Sequence, residues 1–120
     1  MNKILIVDDE PNIVMSLEYA FKKQNFEVFI ARDGSEALEI LKNNIPNVVL
    51  LDIMMPNVDG YQTLKEIKAD QNLKHTKVVF LTAKNKASDV EKGIELGADL
   101  YLTKPFSIKK IIAIINELIQ

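Results

Sequence analysis

Residues 3–11 read Lys-Ile-Leu-Ile-Val-Asp-Asp-Glu-Pro, and this short passage sets the fold class. The apolar run Lys3–Val7 lacks polar alternation, as a strand does when helices cover both faces of a parallel sheet. The run stops on acids, and Pro11 stands where the first turn of a helix tolerates a proline.

The same alternation continues along the chain. Glu27–Ala31, Val48–Leu51, Lys77–Leu81 and Leu100–Leu102 read as four further strands, dominated by Val, Ile, Leu and Phe. Between them the apolar residues take helical spacing. Ile13, Leu17, Ala20 and Phe21 form one stripe. Ser35–Lys42 brings Ala37, Leu38 and Leu41 together, and Tyr61–Lys68 contributes Leu64 and Ile67. Ser88 is expected to cap a helix carrying Val90, Ile94 and Leu96, with Gly97 ending it. Ser107 is expected to cap a last helix, Ile108–Ile119, whose core arc is Ile108, Ile111, Ile112, Ile115, Leu118 and Ile119. The expectation is an α/β fold: a doubly wound, five-stranded parallel sheet with five helices and right-handed crossovers. Five strands favour the flavodoxin-like order 2-1-3-4-5. With no repeat, low-complexity tract or Gly/Ser linker, residues 1–120 read as a single domain.

Composition narrows the function classes. The chain has 120 residues, 48% of them hydrophobic, and a net charge of −2. A nucleic-acid surface would show a basic patch, so direct DNA contact is not expected. Cysteine is absent, which excludes disulfides, thiolate metal sites and a cysteine nucleophile. No apolar stretch reaches the length of a signal peptide core, about 7–15 residues, or of a membrane span, about 20. A soluble, cytoplasmic protein without membrane contact is expected.

Open α/β sheets bind ligands beyond the C-terminal ends of their strands, and polar residues gather there. The first strand ends in Asp8-Asp9, followed by Glu10. The third ends in Asp52, the fourth in Thr82, and the fifth in Thr103-Lys104-Pro105. Acids at strand ends also serve as helix caps, and Thr82 or Lys104 taken singly is an ordinary turn residue or surface charge. Independent caps need not meet at one crevice, however. Crowded carboxylates disfavour one another's ionisation unless a cation intervenes. Magnesium suits a site with one or two carboxylates that also meets phosphate oxygens. A carboxylate can itself take a phosphoryl group, while Lys104 and Thr82 supply charge and a hydrogen bond to its oxygens.

The strings ILIVDDEP, LLDIMMPNVDGYQTLKEI, VVFLTA and GADLYLTKPF, in this order and spacing, resemble the receiver domains of two-component response regulators across nearly all the chain. The resemblance implies that Asp52 is the phosphoacceptor. It implies that Asp8 and Asp9 bind Mg²⁺ directly or through water, joined by Asp52 and the backbone carbonyl of Met54. Thr82 resembles the switch hydroxyl, Tyr101 the aromatic switch, and Lys104 the lysine that contacts the phosphoryl group. Pro105 matches a proline that usually follows a cis peptide bond. Met54 and Lys84, two residues beyond Asp52 and Thr82, match positions flanking the path of attacking water. The implied phosphodonor is a histidine kinase or phosphotransfer protein, and the implied output surface is the fourth helix, fifth strand and fifth helix. Gly60 is expected to serve a positive φ or a close backbone approach, and His75 reads as a solvated loop histidine.

One pattern departs from the branch of receivers attached to winged-helix DNA-binding domains. That branch carries Ala-Asp-Asp before the aromatic and an arginine in the final helix. Here the residues are Ala98-Asp99-Leu100 and Ile114. Charged dimer contacts of that kind are not expected, whereas Leu100 and Ile114 offer an apolar interface for a phosphorylation-dependent homodimer or effector. Three other functions compete. An aspartyl-nucleophile phosphatase would need a second Asp where Met54 stands. A flavin-phosphate binder would need a Gly- or hydroxyl-rich loop in place of Asp8-Asp9-Glu10. A receiver-like domain acting purely by protein contact would not need the reactive residues, all of which are present.

Overall fold

The computed structural model describes residues Met1–Gln120 and has ten elements in strict alternation. They are β1 (Lys3–Val7), α1 (Pro11–Lys23), β2 (Glu27–Ala31), α2 (Gly34–Leu41), β3 (Val48–Leu51), α3 (Gly60–Ala69), β4 (Lys77–Thr82), α4 (Ala87–Glu95), β5 (Leu100–Thr103) and α5 (Ile108–Leu118). All strand pairs are parallel, and the sheet order is β2-β1-β3-β4-β5. The flavodoxin-like arrangement expected from the alternation is the one observed.

Strand period divides the core into two layers. Leu5, Val7, Val49, Leu51, Val78 and Phe80 face α2 and α3, where Ala37, Leu41, Leu64 and Ile67 meet them. Ile4, Ile6, Val48, Leu50, Val79 and Leu81 face α1 and α5, packing with Leu17, Phe21, Ile111 and Ile115. Since both faces are covered, buried aliphatics dominate the three central strands. That is why their sequences show no alternation.

The helix starts refine the sequence reading. Asp33 and Asp59 cap α2 and α3, their carboxylates accepting from the Glu36 and Gln62 amides at 2.9 Å each. Both helices therefore begin one residue earlier than expected, at glycines. Ser107 caps α5 as anticipated, accepting from the Lys110 amide at 3.3 Å. Ser88 does not cap α4. The helix opens at Ala87, with the Lys86 carbonyl accepting from the Asp89 and Val90 amides and no side-chain cap bond, since a lysine side chain has no acceptor to offer. Ser88 thus falls within the first turn.

The stripe on α4 also differs. Ile94 is 47% exposed, and the buried residue of the helix is Gly93. A Cβ at Gly93 would lie 2.9 Å from the Tyr101 ring and 3.1 Å from Phe80. The glycine lets the helix sit directly on two aromatic rings, and that seating turns its neighbour Ile94 outward. Gly97 ends the helix with φ +112°, a conformation glycine adopts without steric cost.

Candidate functional site

In the order β2-β1-β3-β4-β5 the crossovers diverge between β1 and β3, and a crevice opens beyond the ends of those strands. The backbone carries the register past the strand ends. The Asp8 amide donates to the Ala31 carbonyl at 3.1 Å, the Asp52 amide to Val7 at 3.0 Å, and the Lys104 amide to Thr82 at 2.9 Å. Asp8 and Asp52 thereby face each other across the divergence, 3% and 4% exposed.

The ammonium of Lys104 fills the space between them. Its Nζ donates to Asp8 Oδ2 at 2.9 Å, to Glu10 Oε1 at 2.8 Å and to Asp52 Oδ2 at 3.3 Å. Each buried carboxylate also accepts a backbone N–H on its other oxygen, Asp8 from Glu10 at 2.9 Å and Asp52 from Met54 at 3.2 Å. One oxygen each from Asp8, Glu10 and Asp52 lies within 4.8 Å of the others. Hard oxygen donors at that spacing fit a magnesium ion, which takes one or two carboxylates and keeps waters.

Charge balance explains the protonation tendencies. Burial pushes the Asp8 carboxyl up, against the lowering effect of its hydrogen bonds from Lys104 and Glu10. Burial opposes the charge on Lys104 too, yet the hydrogen bonds to Glu10 and Asp8 hold the ammonium above the usual lysine range.

The family model for the response regulator receiver domain matches residues 4–116. The chain belongs to the response regulator receiver family. Solved receiver domains superpose on it along its whole length. One is the receiver domain of Francisella response regulator 1452, 35% identical, covering 99% of this chain and 97% of that one with a TM-score of 0.91. Another is the receiver domain of a signal transduction histidine kinase from Syntrophus aciditrophicus, 28% identical, with coverage of 99% and 90% and a TM-score of 0.91. The chemotaxis response regulator CheY4 of Vibrio cholerae is 27% identical over 98% of both chains, with a TM-score of 0.92.

Within this receiver domain the expected site residues divide into those that converge and those that stand apart. Asp8, Asp52 and Lys104 converge. Asp9 is exposed and outside the carboxylate triad, in which Glu10 takes part instead. Met54 is 57% exposed, so its side chain faces solvent while its amide bonds Asp52. Thr82 is fully buried, its hydroxyl accepting from the Lys84 amide at 3.4 Å. Tyr101 lies against Phe80, ring centroids 5.7 Å apart, and its hydroxyl donates to the Lys84 carbonyl at 2.8 Å. Burial, then the nearby Tyr61 and Asp89, push the Tyr101 hydroxyl up to about 12. The Lys84 side chain pairs with Asp89 at 3.6 Å, and the Lys104–Pro105 peptide is cis.

Two residues were not singled out from sequence as site residues. Glu10 makes the shortest Lys104 contact, and its only sequence signal is its place after the acidic pair. Gly60 was expected to serve a positive φ or a close approach, and the close approach is what is found. A Cβ there would lie 2.4 Å from the Asp52 carbonyl oxygen. Gly60→Ala should therefore force the Asp52 loop to shift and cost about 2 kcal/mol, read as a lower urea midpoint at unchanged slope.

Proposed function

We propose that this receiver domain accepts a phosphoryl group on Asp52 from a phosphohistidine of a histidine kinase or phosphotransfer protein, in a magnesium-dependent reaction. The supporting observation is the buried Asp52 carboxylate, which shares the Lys104 ammonium with Asp8 at the sheet's divergence.

An Asp52 oxygen attacks phosphorus in line. The phosphorus–nitrogen bond breaks as the oxygen–phosphorus bond forms, and the ring nitrogen keeps the electron pair, leaving as neutral imidazole because the other ring nitrogen already carries the proton. Bound magnesium would offset the charge on the transferring oxygens, held by Asp8 and Asp52 with Asp9, Glu10 and the Met54 carbonyl as further candidates. Lys104, within reach of Asp52, turns its ammonium to a phosphoryl oxygen. The Thr82 hydroxyl then gains an acceptor, its bond to the Lys84 amide loosens, and the Tyr101–Lys84 contact responds. The surface of α4, β5 and α5 is the output. Leu100, Ile114 and Leu118, with Glu117 beside them, line a hollow there, and its three aliphatics support a homodimer or effector contact of the apolar kind.

Incubation with acetyl phosphate and MgCl₂, read by intact mass, should add one phosphoryl group that alkali and hydroxylamine both remove. Failure to label with magnesium, or equal labelling with chelator present, would overturn the reading.

The lifetime of the phosphoryl group follows from Met54. An exposed thioether beside Asp52 orients no water, so spontaneous hydrolysis is expected to be slow. Met54→Asn supplies an amide that can hold one, and should speed phosphate loss roughly tenfold, the effect of one well-placed hydrogen bond. Decay followed by phosphate release checks this, and an unchanged rate would remove Met54 from the account.

A further inference from the structure

Phe80, fully buried on β4, has an aromatic neighbour on each side. Tyr61 of α3 meets it edge-on with 5.7 Å between centroids, and Tyr101 of β5 does so at the same separation. Both tyrosine hydroxyls then reach one short segment. Tyr101 donates to the Lys84 carbonyl in the β4–α4 loop at 2.8 Å. Tyr61 donates to the Asp89 carbonyl in the first turn of α4 at 3.2 Å. Each hydroxyl lies near enough to alter the other's ionisation. The Lys92 ammonium stands over the Tyr61 ring, 4.3 Å from its centroid, so α4 grips that ring from a second direction.

Tyr61 is also tied to the phosphoacceptor. It directly follows Gly60, whose amide donates to the Ile53 carbonyl at 3.1 Å and whose backbone rests on the Asp52 carbonyl. No slack separates the Asp52 loop from the Tyr61 ring. From the other side Thr82 reaches the same segment through the Lys84 amide.

We infer that Tyr61 is a second positioning residue for α4, paired with Tyr101. Its hydroxyl pins the first turn of α4 to the start of α3, and a shift of the Asp52 loop passes through it to α4 alongside the Thr82 route. The relay rests on Asp52 being the phosphoacceptor, whereas the pin is a property of the resting fold. Coupling of this kind is established by non-additivity rather than by proximity.

The test is amide hydrogen exchange on the full chain for wild type, Tyr61→Phe, Tyr101→Phe and the double variant, first without additions and then with Mg²⁺ and beryllofluoride. Phenylalanine keeps the ring packing and deletes only the hydroxyl. Without additions, Tyr61→Phe should speed exchange across residues 86–90 about fivefold, the value of one neutral hydrogen bond. The double variant should fall short of the product of the two single effects. Exchange at 86–90 equal to wild type, or strictly multiplicative effects, overturns the pin. With beryllofluoride, Tyr61→Phe should lose much of the change seen at α4 in wild type while binding Mg²⁺ equally well. An undiminished α4 response overturns the relay. A wild type that does not respond to beryllofluoride overturns the phosphoacceptor reading, and the pin is then judged by the first arm.

Discussion

Asp52→Asn is expected to incorporate no phosphoryl group from acetyl phosphate in magnesium buffer, under conditions where the wild type labels fully. The amide cannot supply the anionic oxygen that attacks phosphorus, and the nearest alternative carboxylates are poorly placed to replace it. Asp8 lies on the neighbouring strand end, across the Lys104 ammonium from Asp52, and Glu10 projects toward solvent with more than half its side-chain surface exposed. The loss should be complete rather than partial. It should also leave the fold intact. Asp52 and Asp8 are both buried and share one ammonium at 3.3 and 2.9 Å, so deleting one charge relieves like-charge repulsion. The melting temperature should hold or rise. Residual labelling of a well-folded Asp52→Asn protein would place the acceptor elsewhere, and peptide mapping would show where.

Much of this site was legible before any coordinates, for a definite physical reason. Parallel strands covered on both faces need uninterrupted aliphatics, so the strand ends stand out as the first polar residues after each run. Asp8, Asp52 and Thr82 were visible on that ground, and Lys104 stands one residue further, after Thr103. Five strands alternating with helices favour the observed sheet order, although periodicity alone does not select it.

What sequence did not give was the direction of individual side chains. Asp9 and Glu10 are adjacent acids after β1, and spacing offers no means to tell which reaches Lys104, 94 residues away for Glu10. The α4 stripe misled for a related reason. Apolar periodicity points to Ile94, whereas the buried position belongs to a glycine whose contribution is the space it leaves for Tyr101 and Phe80. Hydrophobicity patterns register side chains, and a residue that acts by lacking one is invisible to them. Tyr61 was hidden differently. Its ring reads as one more apolar member of α3, and nothing local in sequence announces that its hydroxyl meets Asp89, 28 residues on.

Lys104→Met should produce the largest loss of stability among these substitutions in magnesium-free buffer, and magnesium should repair much of it. The side chain of Lys104 is 11% exposed and touches Asp8, Glu10 and Asp52. Methionine keeps the apolar stem and removes the charge. Glu10 can turn into water at little cost, but Asp8 and Asp52 cannot, and each keeps only its single backbone N–H. Removing one partner of a buried ionic cluster typically costs about 3–5 kcal/mol. The retained backbone bonds place this case near about 3 kcal/mol, a fall of about 10 °C in melting temperature for a chain of this size. A divalent cation supplies the missing positive charge between the same oxygens, so its binding free energy adds to the stability of the folded state. The variant should gain more from Mg²⁺ than the wild type does. It should also bind Mg²⁺ more tightly, because the wild-type ammonium competes for Asp8 and Asp52. Thermal melts across a magnesium series, with calorimetric titration of the metal, separate the two effects. A variant that melts with the wild type in chelator, or binds Mg²⁺ more weakly, would mean that Lys104 is a bystander at the triad rather than the cation that holds it together.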